Sequence, residues 1–128
     1  MKYTIEMIPI AKERGRVAMR GGRAHCYTPI RTVVAEEYIA LRILELGIEP
    51  YPVNVSLRLV VGFYMPRPKS VKRKCHIVKP DTSNLLKLFE DACKNIFRDQ
   101  QLVDVHAWKE YAAAGTLPRI TFEIREVT

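Results

Sequence analysis

The run at residues 53–64 constrains this chain more than any other stretch. Val53, Val55, Leu57, Leu59, Val61 and Phe63 fall on one side of an extended backbone, and Asn54, Ser56 and Arg58 fall on the other. A period of two is the pattern of a strand with one buried face. Val60 carries apolar character to the second face, which suits a position inside a sheet rather than at its edge. Such a strand needs neighbours beside it and a layer of helices over it.

The remaining elements follow from the same kind of reading. Residues 2–10 alternate Tyr3, Ile5 and Met7 against Thr4 and Glu6 until Pro9 ends the strand. Residues 102–111 read as extended, and residues 119–127 turn Ile120, Phe122 and Ile124 inward. With the Gly115 turn between them, those last two strands are expected to pair as a hairpin. Thr28 and Pro29 signal a helix start, threonine as cap and proline at the first helical position. That helix runs to about Leu46 and stops at Gly47. Its expected inward stripe is Ile30, Val33, Val34, Tyr38, Leu41 and Leu44. A second helix follows Pro80, capped by Asp81 or Ser83. Leu85, Leu88, Phe89, Ala92, Cys93 and Ile96 define its apolar face, and Asn84, Lys87, Asp91, Lys94 and Arg98 gather opposite. The order β-α-β-α-β-β predicts a two-layer α/β (α+β) fold, a small mixed sheet with two main helices. One domain spans residues 1–128.

Charge narrows the partners. The chain carries 21 lysines and arginines against 14 acidic residues, a formal +7. Such a balance favours a polyanion. No apolar run approaches the roughly 20 residues of a spanning helix. The N-terminus alternates rather than forming a signal core, so a cytoplasmic location is expected. Three widely spaced cysteines exclude a disulfide framework. His25-Cys26 and Cys75-His76 lack the spacing of a zinc site, because neighbours on an extended chain point apart.

Much of the positive charge lies in two segments. Residues 11–27, a loop or hairpin with Gly21-Gly22 at its tip, hold Lys12, Arg14, Arg16, Arg20 and Arg23 against Glu13. Residues 65–80 hold Arg67, Lys69, Lys72, Arg73, Lys74 and Lys79 with no acidic residue. The expected nucleic-acid contacts are Lys12, Arg14, Arg16, Lys69, Lys72, Arg73, Lys74 and Lys79, since neutralised phosphates dominate such binding.

Between and beyond these segments stand carboxylates. Asp81 opens the second helix, Asp99 lies just past its end, and Asp91 sits on its polar face. Magnesium is commonly held by one or two carboxylates with water and substrate phosphate completing the shell. A nearby lysine such as Lys87 can hold a phosphate oxygen. The same residues also describe a plain cap and an i,i+4 surface pair of Lys87 with Asp91, so the spacing alone leaves both readings open.

Residues 79–103 resemble the RusA family of Holliday junction resolvases, small magnesium-dependent nucleases of bacteria and phages. That family shows K-P-D-x-D-N-L-x-K, then D-A-L, then D-D-x-Q-V. Lys79, Pro80, Asp81, Asn84, Leu85 and Lys87 match the first block, Asp91 and Ala92 the second, and Asp99, Gln101 and Val103 most of the third. Lys12, Arg14 and Arg16 echo a K-x-R-x-R segment, and Tyr27-Thr28-Pro29 matches a Y-T-P. The resemblance implies cleavage of branched, four-way DNA by a homodimer. It implies Asp81, Lys87 and Asp99 as catalytic residues, and Mg2+ (or Mn2+) held by Asp81 and Asp99 with Asp91. The family's second aspartate is Ser83 here, and Arg98 replaces the acidic residue before Asp99. Either Asp91 or Asp104 compensates, or the affinity for metal is weaker, or the chain binds junctions while cutting them weakly.

Overall fold

A computed structural model describes residues 1–13 and 15–127, and of Arg16 the backbone alone. The expected DNA contacts at Arg14 and at the Arg16 side chain lie outside the described residues. Six strands and two main helices follow in the order β1 (Lys2–Glu6), β2 (Arg16–Arg20), β3 (Arg23–Tyr27), α1 (Ile30–Glu45), β4 (Ser56–Met65), α2 (Thr82–Ala92), β5 (Leu102–Tyr111) and β6 (Arg119–Val127). A single 3-10 turn, Asp99–Gln101, leads into β5. The principal order is the predicted one, and the first basic segment forms a separate hairpin, β2–β3.

The main sheet has the order β1-β6-β4-β5, with β4 parallel to β5 and antiparallel to β6. The alternation on β4 places it inside the sheet, and its Leu57, Leu59, Val61, Phe63 and Met65 are buried. The expected β5–β6 hairpin does not form, because β4 lies between the two. β4, α2 and β5 make a parallel crossover unit. The connection from β5 then passes the end of β4, where the Ala112 amide donates to the Met65 carbonyl at 2.8 Å.

Both helices contribute to a core centred on Phe63, Phe89 and Phe122, with the Phe89 and Phe122 rings 5.2 Å apart. All six predicted apolar positions of the α2 segment are buried. On α1 the outcome is reversed. Thr32, Ala35, Ile39 and Ile43 face inward. The expected stripe lies outside: Ile30 is 80% exposed, Val34 58%, Leu41 53% and Leu44 73%, and Val33 and Tyr38 are also exposed. An arc about 100° wide satisfies the core, and α1 fills it with Thr32, Ala35, Ile39 and Ile43, leaving a second apolar row to solvent. The cap also shifts by one residue. Pro29 rather than Thr28 stands before the helix, and its carbonyl accepts from the Thr32 and Val33 amides.

Trp108 on β5 covers the sheet face opposite the core, lying across Gly62. A Cβ at position 62 would come within 2.4 Å of the indole, which accounts for a glycine inside the central strand.

Candidate nuclease site on helix α2

α2 begins where the chain leaves a cis Lys79-Pro80 bond. The Lys109 ammonium on β5 donates to the carbonyls of Val78 at 2.6 Å and Pro80 at 2.8 Å, tying this turn to the sheet edge. Asp81 follows as the cap. Its carbonyl accepts from the Asn84 and Leu85 amides, and its side chain makes no capping hydrogen bond. The carboxylate stays exposed at the positive end of the helix dipole, where negative charge is favoured.

Asp99 is held by different means. The buried Gln101 side chain donates to the Pro52 and Val55 carbonyls at 2.8 and 3.1 Å and accepts from the Arg98 amide at 2.8 Å. This fixes the turn that begins with Asp99. Among the described residues no lysine or arginine pairs with Asp81 or Asp99 within 4 Å, so neither carboxylate is already neutralised by an ion pair.

Asp91 is different. Its Oδ1 lies 3.3 Å from the Lys87 ammonium and its Oδ2 lies 3.2 Å from that of Lys12. Lys12 also reaches Glu36 Oε1 on α1 at 2.6 Å. Hydrogen bonding to Glu36, with a smaller contribution from Asp91, raises the Lys12 pKa against the opposing effect of burial. The Asp91 hydrogen bond is the largest cause of the raised Lys87 pKa, and the Asp99 charge adds to it. Lys12 was expected at DNA, and its charge is engaged inside the fold. Its backbone is tied too: the Lys12 amide donates to the Asn84 carbonyl at 2.9 Å, and the Glu13 amide to Thr32 Oγ1 at 3.3 Å. Asp104, the other candidate to compensate for Ser83, pairs with Arg58 at 2.6 Å across the β4–β5 ladder.

Glu90 joins this neighbourhood without having been singled out in the sequence. Burial raises its pKa most, and the charges of Asp99 and Asp91 raise it further while Lys87 opposes them. Its position beside Asp91 was the available signal. Gln101 was visible through the resemblance alone, and Lys109 carried no local pattern at all. Among the described residues no three histidine, cysteine or acidic side chains converge into a metal cage. Hard oxygen donors in ones and twos still fit magnesium, which keeps much of its water.

The second basic segment is knitted together. Arg67 donates to the carbonyls of Val71, Arg73 and Ala112 at 2.8 to 3.0 Å and lies 5.5 Å over the Tyr111 ring. His76 is buried against the same ring at 4.8 Å, and Lys74 pairs with Glu110 at 3.4 Å. Lys69, Lys72, Arg73 and Lys79 remain exposed, and Lys69 and Lys72 border an open cleft of about 740 Å³. On the β2–β3 hairpin the register puts Arg20, Arg23, His25 and Tyr27 on one face and Val17, Met19, Ala24 and Cys26 on the other.

A basic α+β domain with free carboxylates at a helix entrance and in the turn beyond it has the make-up of a nucleic-acid-processing domain. The family described as endodeoxyribonuclease RusA matches residues 6–125. The chain belongs to the RusA endodeoxyribonuclease family. It is also 30% identical, over an alignment of 145 residues, to the uncharacterized protein YqaN of Bacillus subtilis (strain 168). That alignment covers all of this chain and 97% of YqaN. Among the described residues no helix is long and apolar enough to cross a membrane.

Proposed function

We propose that the chain is a magnesium-dependent, structure-specific endonuclease that resolves four-way DNA junctions in bacterial or phage cytoplasm. The observation carrying this reading is the state of Asp81. Its carboxylate is exposed at the start of a core helix, without a capping bond or, among the described residues, an ion pair, on a turn anchored by Lys109. Asp81 and Asp99 would hold the ion, Mg2+ or Mn2+. When bound, the ion supplies an activated water and a clamp on the scissile phosphate. Lys87, exposed one face along α2, offers its ammonium to a phosphate oxygen. The hairpin face of Arg20 and Arg23, and Lys69, Lys72, Arg73 and Lys79 on the second segment, grip backbone phosphates. That binds branched DNA by shape with little base reading.

The exposed apolar row on α1 supports a homodimer, which would present two sites for two symmetric cuts. Ser83 favours a second reading, a junction-binding module on the same scaffold that cuts weakly, because a hydroxyl replaces a carboxylate in the first turn.

A synthetic four-way junction with Mg2+ tests the first reading. Asp81→Asn should lower the cutting rate at least about a thousandfold, or about 4 kcal/mol in the barrier, with binding retained. Undiminished cutting by Asp81→Asn would remove Asp81 from the mechanism.

A further inference from the structure

Four charged side chains form a relay across the two helices. Glu36 on α1 holds Lys12 at 2.6 Å, Lys12 holds Asp91 Oδ2 at 3.2 Å, and Asp91 Oδ1 holds Lys87 at 3.3 Å. The first three are largely withdrawn from water, with side chains 22 to 28% exposed, and Lys87 is 55% exposed. The relay therefore runs from a partly shielded cleft between the helices to a solvent-facing ammonium. Charge pairs shielded in this way are screened less by salt than pairs at the open surface. A carboxylate with an ammonium on each oxygen is poorly placed to bind a cation as well, because the ion would meet two positive neighbours.

Resting on the nuclease reading, we propose that Asp91 is not a ligand of the ion but a positioning residue. It orients Lys87, and the contest between Glu36 and Asp91 for Lys12 sets how firmly it does so. Lys87 lies one turn before Asp91, so the pair fixes an otherwise free, long side chain on the polar face of α2. When Lys12 leans to Glu36, Asp91 has more charge to give Lys87. When Lys12 leans to Asp91, the Lys87 ammonium is held less firmly. The root of the basic hairpin carries Lys12. The Lys12 amide is bonded to the Asn84 carbonyl of α2, so a movement of that root on DNA reaches Lys87 through Asp91.

The test reads Lys87 directly. The full chain is acylated with an amine reagent at one fixed pH, and labelling of Lys87 is measured by mass spectrometry against Lys94, two residues past the end of α2. Asp91→Asn should raise relative Lys87 labelling up to about twofold, the scale of a lost helix ion pair. Lys12→Met should lower it, because Asp91 then serves Lys87 alone, and Lys12→Arg should restore it. Glu36→Gln should raise it. General loosening moves Lys94 and Lys87 together and in one direction for all variants, and that result overturns the relay. Mn2+ affinity, measured by calorimetry without DNA, should be unchanged in Asp91→Asn. A loss of affinity there makes Asp91 a ligand and overturns the proposal. In junction cutting Asp91→Asn should lower kcat while KM holds. A native chain that cuts no junction removes the nuclease reading, while the labelling and Mn2+ results still decide the role of Asp91.

Discussion

Ser83 sits in the first turn of α2, exposed, two residues beyond Asp81. The position tolerates a carboxylate, since acidic groups near a helix N-terminus are stabilised by the dipole. Ser83→Asp should therefore leave the melting temperature at or above its native value. If Asp81 holds the ion, a second carboxylate one short step away should cut the Mg2+ needed for half-maximal junction cleavage about tenfold, or about 1.4 kcal/mol. A cleavage assay across a Mg2+ series checks this. A native chain that is near-inactive and gains strongly from Ser83→Asp supports the junction-binding reading. An unchanged Mg2+ dependence places position 83 away from the ion. The residue scale also separates the carboxylates by environment: among the described residues Asp81 and Asp99 enter no ion pair, Asp104 is tied to Arg58, and Asp91 is tied to two lysines.

At the scale of elements, β4 and α2 were the legible parts of the chain. β4 alternates at period two and α2 repeats at 3.6, and each pattern names its own buried face. The basic segment at residues 11–27 was legible as a loop or hairpin from Gly21-Gly22, and both glycines adopt positive φ at the hairpin tip. α1 misled because it is apolar on two sides, and the core took the side of Ala35, Ile39 and Ile43. The β5–β6 pairing misled because strand order is a non-local property, set by where α2 returns the chain. In the site, Asp81 was visible as a cap and through the family blocks. Lys109 was not, since its bonds go to carbonyls 29 and 31 residues away. Gly62 makes an element-scale prediction. Gly62→Ala puts a methyl into the Trp108 ring, which overpacks the sheet face and should cost about 1–3 kcal/mol. Urea unfolding followed by fluorescence of Trp108, the chain's one tryptophan, measures it. Gly62→Ala combined with Trp108→Leu should recover most of the loss. Equal loss in single and double variants would show that the indole is not the cause.

For the whole molecule, the proposed homodimer must bring together chains of charge +7. Two such surfaces repel wherever they meet on their basic sides. α1 offers another route. Its Glu36 is taken by Lys12, so Arg31 and Arg42 balance Glu37 and Glu45 and the helix is near neutral, and it exposes Ile30, Val34, Leu41 and Leu44. Beside this row, an apolar recess of about 290 Å³ is lined by Leu41, Leu44, Ile48 and Ile96. A stable interface needs roughly 800 Å² from each partner. A 16-residue helix is only about 24 Å long, so α1 and the recess must act together. In such a two-fold pair α1 would face its copy, leaving the cationic hairpin and the cleft at Lys69 and Lys72 open to DNA arms. Sedimentation at micromolar concentration should give twice the mass of one chain. Leu41→Glu with Leu44→Glu should give single chains with an unchanged circular dichroism spectrum, because both side chains lie outside the core. Those single chains should lose paired cutting of a four-way junction while keeping slower cutting of one strand. A native chain that sediments singly at tens of micromolar would leave the α1 row unexplained and remove the two-site geometry from the proposed reaction.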